Sequence, residues 1–160
     1  MNRIEIASPV GPIEIIGDGA AVTEITIARH GVLPRAALGV VPDPVLERAG
    51  AQLAEYFAGE RTEFDLPLAP AGTEFQQGVW RRISDIPHGT AVTYSRVGAD
   101  IGFPAQASRA IGTAVGANPI TIVIPCHRVL AADGRITGYS GGEGIPTKQY
   151  LLDLESIPYR

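Results

Sequence analysis

Alternation of apolar and polar positions marks the first third of the chain. Arg3–Ala7 and Ile13–Gly17 alternate as strands, with Ser8-Pro9-Val10-Gly11-Pro12 between them. Asp18-Gly19 turns the chain into a third strand, Val22–Ala28. At Asp43-Pro44 the period changes: the acid is placed to cap a helix, and proline suits its first position. Leu46, Ala49, Leu53 and Tyr56 or Phe57 make the apolar stripe, and Gly59 ends it. The pattern predicts a small β-meander with one helix packed on it. No residue in this stretch suggests chemistry, and His30 reads as a loop or surface histidine.

A linker follows at Leu66-Pro67-Leu68-Ala69-Pro70-Ala71-Gly72, where two prolines and a glycine interrupt any period. It predicts one domain over residues 1–70 and a second over 71–160. The second starts helically. Thr73 is placed to cap a helix to about Ile86, with Phe75, Val79, Ile83 and Ile86 on one face and Trp80 in the core. Pro87-His88-Gly89-Thr90 is a turn. Thr93 or Ser95 caps a short helix through Val97 to Ile101, which Gly102 stops, and Pro104 starts another through roughly Val115. Two short helices joined by a tight glycine turn resemble a helix-turn-helix.

The second of these helices is thin. Ile111 and Val115 face the core, while Ala107, Ala110 and Ala114 form a strip with little side chain and Gly112 lies nearby. Arg109 is its one long charged residue. Periodicity alone leaves two readings open: an alanine-rich packing helix with a solvated arginine, or a helix able to approach a narrow surface such as a DNA minor groove.

Composition sets the outer bounds. The 160 residues are 45% hydrophobic, enough for a sizeable core, and contain no run of about 18 apolar residues, so no membrane span is expected. Met1-Asn2-Arg3-Ile4-Glu5 lacks a signal peptide's apolar centre, and one cysteine excludes an internal disulfide; both fit a cytoplasmic protein. The formal net charge is −4. Residues 1–70 carry five arginines against ten acids, whereas residues 71–160 carry eight basic against seven acidic side chains. The second half can therefore approach phosphates without strong repulsion.

The single cysteine is the chemical candidate. Cys126 lies in Pro125-Cys126-His127-Arg128, delivered by the apolar run Ile120–Ile124, which reads as a strand. A free thiol with a pKa of ~8.5 is mostly protonated at neutral pH and needs a base or a nearby positive charge to react. His127 and Arg128 are candidates, but strand neighbours point to opposite faces. His127 reaches Cys126 only if the backbone leaves the strand there or a water bridges the gap. The alternative is a small buried hydrophobe.

Arg109-Ala110-Ile111-Gly112, Asn118-Pro119, Ile124-Pro125-Cys126-His127-Arg128-Val129 and Gly138-Tyr139-Ser140-Gly141-Gly142 together resemble the O6-alkylguanine-DNA alkyltransferases. So do Gly72-Thr73-Glu74-Phe75-Gln76-Gln77-Gly78-Val79-Trp80 and Thr93-Tyr94-Ser95. The specific match covers residues 72–155. The resemblance implies an α+β fold, with a ribonuclease H-like N-terminal β-meander plus helix and a mainly helical C-terminal domain holding a winged helix-turn-helix. It implies stoichiometric, irreversible transfer of an alkyl group from O6-alkylguanine, and O4-alkylthymine as well, onto Cys126. The partner is then double-stranded DNA carrying the lesion. The protein is expected to be a monomer in solution that can bind DNA cooperatively.

Residue roles follow from the same resemblance. His127 takes the thiol proton through a water, Glu155 orients that imidazole, and Asn118 braces the turn carrying Cys126. Tyr94 and Ser140 donate to the departing base, and the carbonyls of Cys126 and Val129 read its amine. Tyr94, Ser95, Ala107, Ser108, Arg109 and Gly112 face DNA, with Arg109 entering the stack and Tyr94 crowding the 3′ phosphate. No cofactor is implied, and one cysteine with three scattered histidines predicts no structural zinc. Gly78 and Gly116 stand where relatives often carry basic residues, and His88 where tyrosine is common. A turnover thiol hydrolase and a non-catalytic lesion-binding protein are the rival readings; the first lacks a glycine-rich nucleophile elbow, and the second is at odds with a retained cysteine.

Overall fold

The computed structural model describes all 160 residues, in two compact units. The first comprises Met1–Ala71 with two later segments, Pro119–Thr121 and Gly141–Glu143. Its strands β1 (Asn2–Ile6), β2 (Ile13–Gly17) and β3 (Val22–Ile27) form an antiparallel sheet in the order β1-β2-β3. All five residues of the central β2 are buried. Opposite Ile15 stand Ile4 on one side and Ile25 on the other. Gly17 is required at the turn that follows, because a Cβ there would lie 2.6 Å from the Ala21 carbonyl oxygen.

Both sheet edges are covered, which removes the template an open edge offers to other chains. Val41 exchanges two backbone bonds with Arg3 of β1. On β3, Val22 pairs with the Pro67–Ala69 backbone and Ile25 with Pro119 and Thr121. Helix α1 (Pro44–Phe57) begins as its sequence dictates: the Asp43 carboxylate accepts from the Leu46 amide at 2.9 Å, and proline occupies the first turn. Leu46, Ala49, Leu53 and Tyr56 are buried beneath it. One charged pair is buried as well. Arg3 Nε donates to Glu14 Oε1 at 3.0 Å, and its other nitrogens reach Glu5 and the Gly39 carbonyl.

The second unit comprises Gly72–Asn118, Ile122–Ser140 and Gly144–Arg160. Helix α2 (Glu74–Ser84) opens with a reciprocal capping box between Thr73 and Gln76. Strand β4 (Val92–Thr93) leads directly into α3 (Tyr94–Asp100), capped by the Thr93 hydroxyl. Gly102, at φ 89°, turns the chain toward α4 (Ser108–Gly116). α2 packs on both: Trp80 Nε1 donates to the Ala114 carbonyl at 2.9 Å, and Arg82 and Arg96 clamp Asp100. Gly98 lets α3 and α4 approach, since a Cβ there would meet Ile111 at 3.2 Å. A short strand β5 (Val129–Leu130) pairs in parallel with β4, and α5 (Ile145–Leu154) follows. No helix is long and apolar enough to cross a membrane.

Two expectations need correction. Pro104 sits in extended backbone at ψ 166° and flanks a 3-10 turn, Ala105–Ala107, so the α-helix itself starts at Ser108. Ile120–Ile124 is not a strand. Only isolated rungs occur in it, and Ile122 holds φ at 75°. A β-branched residue there costs about 1–3 kcal/mol and persists only where the surroundings impose it. The kink redirects the chain just before the cysteine.

Candidate active site

Cys126, His127 and Arg128 form one 3-10 turn, closed by the Arg128 amide on the Pro125 carbonyl at 3.0 Å. Three residues per turn send successive side chains about 120° apart. Cys126 therefore faces a pocket while His127 and Arg128 turn toward the end of α5. The backbone has left strand geometry at this point, one of the two conditions for His127 to serve the thiol.

Glu155, just past the last turn of α5, anchors both neighbours. His127 Nε2 lies 2.5 Å from Glu155 Oε2, and Arg128 Nε and Nη2 lie 2.7 and 3.1 Å from its two oxygens. Arg128 Nη1 also donates to the Ile86 carbonyl at 2.7 Å. The Gly89 amide adds a donor to Glu155 at 3.3 Å. His127 is 0% and Glu155 3% exposed, so the network is shielded from bulk solvent and its geometry over-determined. Arg128 is spent on structure, and the acid it pairs with is the one that holds His127.

The imidazole is polarised in one direction. Its Nε2 is spent on Glu155, while Nδ1 is buried without a hydrogen-bond partner. In the neutral tautomer that donates to the carboxylate, Nδ1 carries the lone pair and is a proton acceptor. Burial lowers the His127 pKa, more than the Glu155 carboxylate raises it. The ring is therefore held neutral at physiological pH.

Asn118 fixes the thiol. Its Nδ2 donates to the Ile124 carbonyl at 2.7 Å and to Cys126 Sγ at 3.2 Å. Burial pushes the Cys126 thiol up; Asn118, the Lys148 ammonium and the Tyr139 hydroxyl act against that rise. The thiol thus has three polarising neighbours that a cysteine in a purely apolar core would lack.

The pocket before Cys126 has a volume of about 480 Å³. Tyr94 of α3, Ser108, Arg109 and Gly112 of α4, and Ser140 of the loop line it with Cys126. Arg109 is exposed at its rim. The Ser140 hydroxyl donates to the Gly116 carbonyl at 2.7 Å, and the Val129 carbonyl accepts from Lys148 Nζ at 2.7 Å. Ser95 is exposed on α3 with its hydroxyl 3.2 Å from that of Thr93, and Ala107 lies in the 3-10 turn; neither lines the pocket. His127, Glu155 and Asn118 sit behind the cysteine. Lys148 escaped the sequence reading, and Tyr139 entered it only as part of the resemblance motif, without a role. Lys148 lies in Pro146-Thr147-Lys148-Gln149, a polar stretch of modest periodicity that gives no sign of burial. Tyr139 reads locally as part of a flexible Tyr-Ser-Gly-Gly loop.

Known proteins resemble this chain along nearly its whole length. Residues 3–70 match the family model of the 6-O-methylguanine DNA methyltransferase ribonuclease-like domain, and residues 74–157 that of its DNA-binding domain. The methylated-DNA–protein-cysteine methyltransferase of Mycobacterium tuberculosis is 44% identical over 151 residues, covering 94% of this chain and 89% of the relative. That of Methanosarcina acetivorans is 43% identical over 154 residues, covering 92% and 94%. The crystal structure of Mycobacterium tuberculosis OGT in complex with DNA superposes with a TM-score of 0.86 at 42% identity, covering 98% of this chain and 93% of that one. Two family models in tandem, relatives matched over nearly their whole length and a shared fold place this chain in the 6-O-methylguanine DNA methyltransferase family.

Proposed function

We propose that this enzyme repairs double-stranded DNA by moving the alkyl group of O6-alkylguanine, and of O4-alkylthymine, onto Cys126, once per molecule. The observation that carries the reading is the wall of the pocket: a lone thiol braced by Asn118, with the unpartnered Nδ1 of a buried, Glu155-held imidazole beside it in sequence. A pocket of about 480 Å³ is of the size that takes a small ligand such as a nucleobase.

A base inside a duplex cannot reach such a pocket, so the damaged nucleotide is flipped out first. The small residues of α4 admit close approach to the minor groove, Arg109 fills the vacated stack, and Tyr94 presses on the 3′ phosphate. Phosphate contacts supply affinity without sequence preference. The thiol proton then passes through a water to His127 Nδ1, and Glu155 stabilises the imidazolium. The thiolate attacks the alkyl carbon in line, forming the S–C bond as the C–O6 bond breaks. The electron pair leaves with the base, where the Tyr94 hydroxyl at N3 and the Ser140 hydroxyl, released from Gly116, at O6 stabilise it. The product thioether has no route back, so the protein does not turn over.

The test is stoichiometry. DNA carrying labelled O6-methylguanine should leave one label per protein on Cys126. Cys126→Ala should bind DNA within about twofold of wild type and transfer nothing, as expected for a nucleophile and not a packing residue. Many turnovers would indicate a hydrolase, and binding without label a lesion sensor; either would overturn the reading.

A further inference from the structure

Lys148 is the buried charge that the mechanism above leaves unused. It is 1% exposed, yet its side chain lines the same pocket as Cys126. Nζ donates to the Val129 carbonyl at 2.7 Å and to the Gly138 carbonyl at 3.3 Å. Those two carbonyls belong to separate stretches of the pocket's surroundings: β5 directly after the cysteine turn, and the loop that carries Tyr139 and Ser140. One ammonium therefore ties the backbone behind the nucleophile to the loop in front of it.

No carboxylate pairs with this ammonium, unlike the other buried cations Arg3 and Arg128. It is also the fourth residue of α5, at the close of the first turn, where the helix dipole disfavours positive charge. A buried lysine is ordinarily compensated by an acid or replaced by a neutral residue. The titratable and charged groups that share its pocket are Cys126, Tyr139 on the loop, Tyr94 of α3 and Arg109 of α4, and His127 on the 3-10 turn feels its charge. Glu155, farther along α5, is spent on His127 and Arg128. The one anion the site can generate beside Lys148 is the thiolate.

We propose that Lys148 is the counter-charge of the Cys126 thiolate, a positioning residue that holds the two pocket walls together and favours ionisation of the attacking sulfur. The proposal rests on Cys126 acting as the nucleophile. It also explains why burial without an acid is tolerated. Desolvation brings Lys148 down to about 8, and the cysteine is the one group that pushes it back up. Reciprocally, Lys148 opposes the rise of the thiol. Two groups that each favour the other's charged form are thermodynamically coupled, whichever is titrated. Lys148 also disfavours a charged His127, so it shifts positive charge away from the imidazole while supporting negative charge on sulfur.

The coupling can be read without DNA. In the full-length protein, thiolate absorbance followed against pH should show Lys148→Met with at least tenfold less thiolate at a fixed pH below its midpoint, about one unit of displacement. Single-turnover transfer should slow by a similar factor, DNA affinity should stay within twofold, and Lys148→Arg should recover part of the loss. Identical thiol titrations in Lys148→Met and wild type would overturn the proposal, even with slowed transfer, because a purely structural clamp would slow transfer alone. Should Lys148→Met not fold, carbon-13-labelled lysine in the folded wild-type and Cys126→Ala proteins decides the matter. The Lys148 midpoint should fall when the sulfur is removed; an unmoved midpoint rejects the pairing. Label stoichiometry separates the two readings: intact coupling without transfer rejects the repair function, and intact transfer without coupling rejects the role of Lys148.

Discussion

Each unit buries an arginine–glutamate pair, and only one of the two pairs is a device. In the first unit Arg3 meets Glu14, Glu5 and the Gly39 carbonyl, and Glu14 also accepts from the Arg35 amide at 3.2 Å. The arrangement is closed: the groups that need partners have them, and no nucleophile is near. In the second unit Arg128 meets Glu155 in much the same way, but the carboxylate is shared with an imidazole whose far nitrogen has no partner. A buried ion pair by itself says little about function. On the proposed function, that open valence, one residue along the chain from the thiol, is what separates a chemical site from an internal brace.

Removing the carboxylate from each pair should give the sharpest contrast. Glu155→Gln and Glu14→Gln should each cost about 3 kcal/mol in urea unfolding, because each removes the buried carboxylate of an arginine's ion pair. Glu155→Gln should also slow transfer by about 100-fold or more through loss of the oriented base. Glu14→Gln should leave the transfer rate of the folded fraction within about twofold. Equal slowing in both would erase the distinction.

Asn118→Ala should come next. It removes the donor to Cys126 Sγ and one of the two donors to the Ile124 carbonyl, which keeps only the Cys126 amide, for a loss of about 1–3 kcal/mol and roughly tenfold in single-turnover rate. Milder still is a pH effect peculiar to the second unit. His127 titrates below its ordinary value in the folded state, so the unfolded chain binds its proton first as pH falls. The stability it contributes is present above about 6.5 and is lost below that, as thermal melts from pH 8 down to 5 should show. A second unit equally stable across that range would contradict a buried neutral imidazole. The smallest effect is Thr73→Ala, which deletes one half of the α2 capping box: about 1 kcal/mol in stability and no change in transfer.

Much of this architecture was legible locally. Asp43-Pro44 and Thr73 with Gln76 are helix starts whose capping chemistry lies within four residues, and both helices begin there. The three N-terminal strands follow from alternation, to within a residue at each end. Cys126 and His127 announce themselves by adjacency. Their relation to each other does not, because it depends on a 3-10 turn that the β-rich run Ile120–Ile124 argues against locally. Ile122 adopts a conformation its own side chain disfavours, so no propensity could have found it. Glu155 lies 28 residues beyond His127 and looks like any exposed glutamate at a helix end; the family resemblance alone singled it out. Lys148 had neither signal. Its burial is a property of what packs around α5, and periodicity near the start of that helix carries no trace of it.

The first unit is completed by chain that returns from far downstream. Ile25 donates to the Pro119 carbonyl at 2.9 Å and accepts from the Thr121 amide at 3.2 Å, while Arg29 reaches the Gly142 carbonyl at 2.9 Å. A protein severed at Ala71 would thus surrender a length of strand edge on β3, and the fragment beginning at Gly72 would carry two orphaned stitches flanking the stretch that bears the cysteine. Anyone dividing this molecule for split reporters or domain shuffling is better served by cutting inside an exposed turn of one unit than at the proline-rich joint, where the seam looks clean on paper and is sewn through twice.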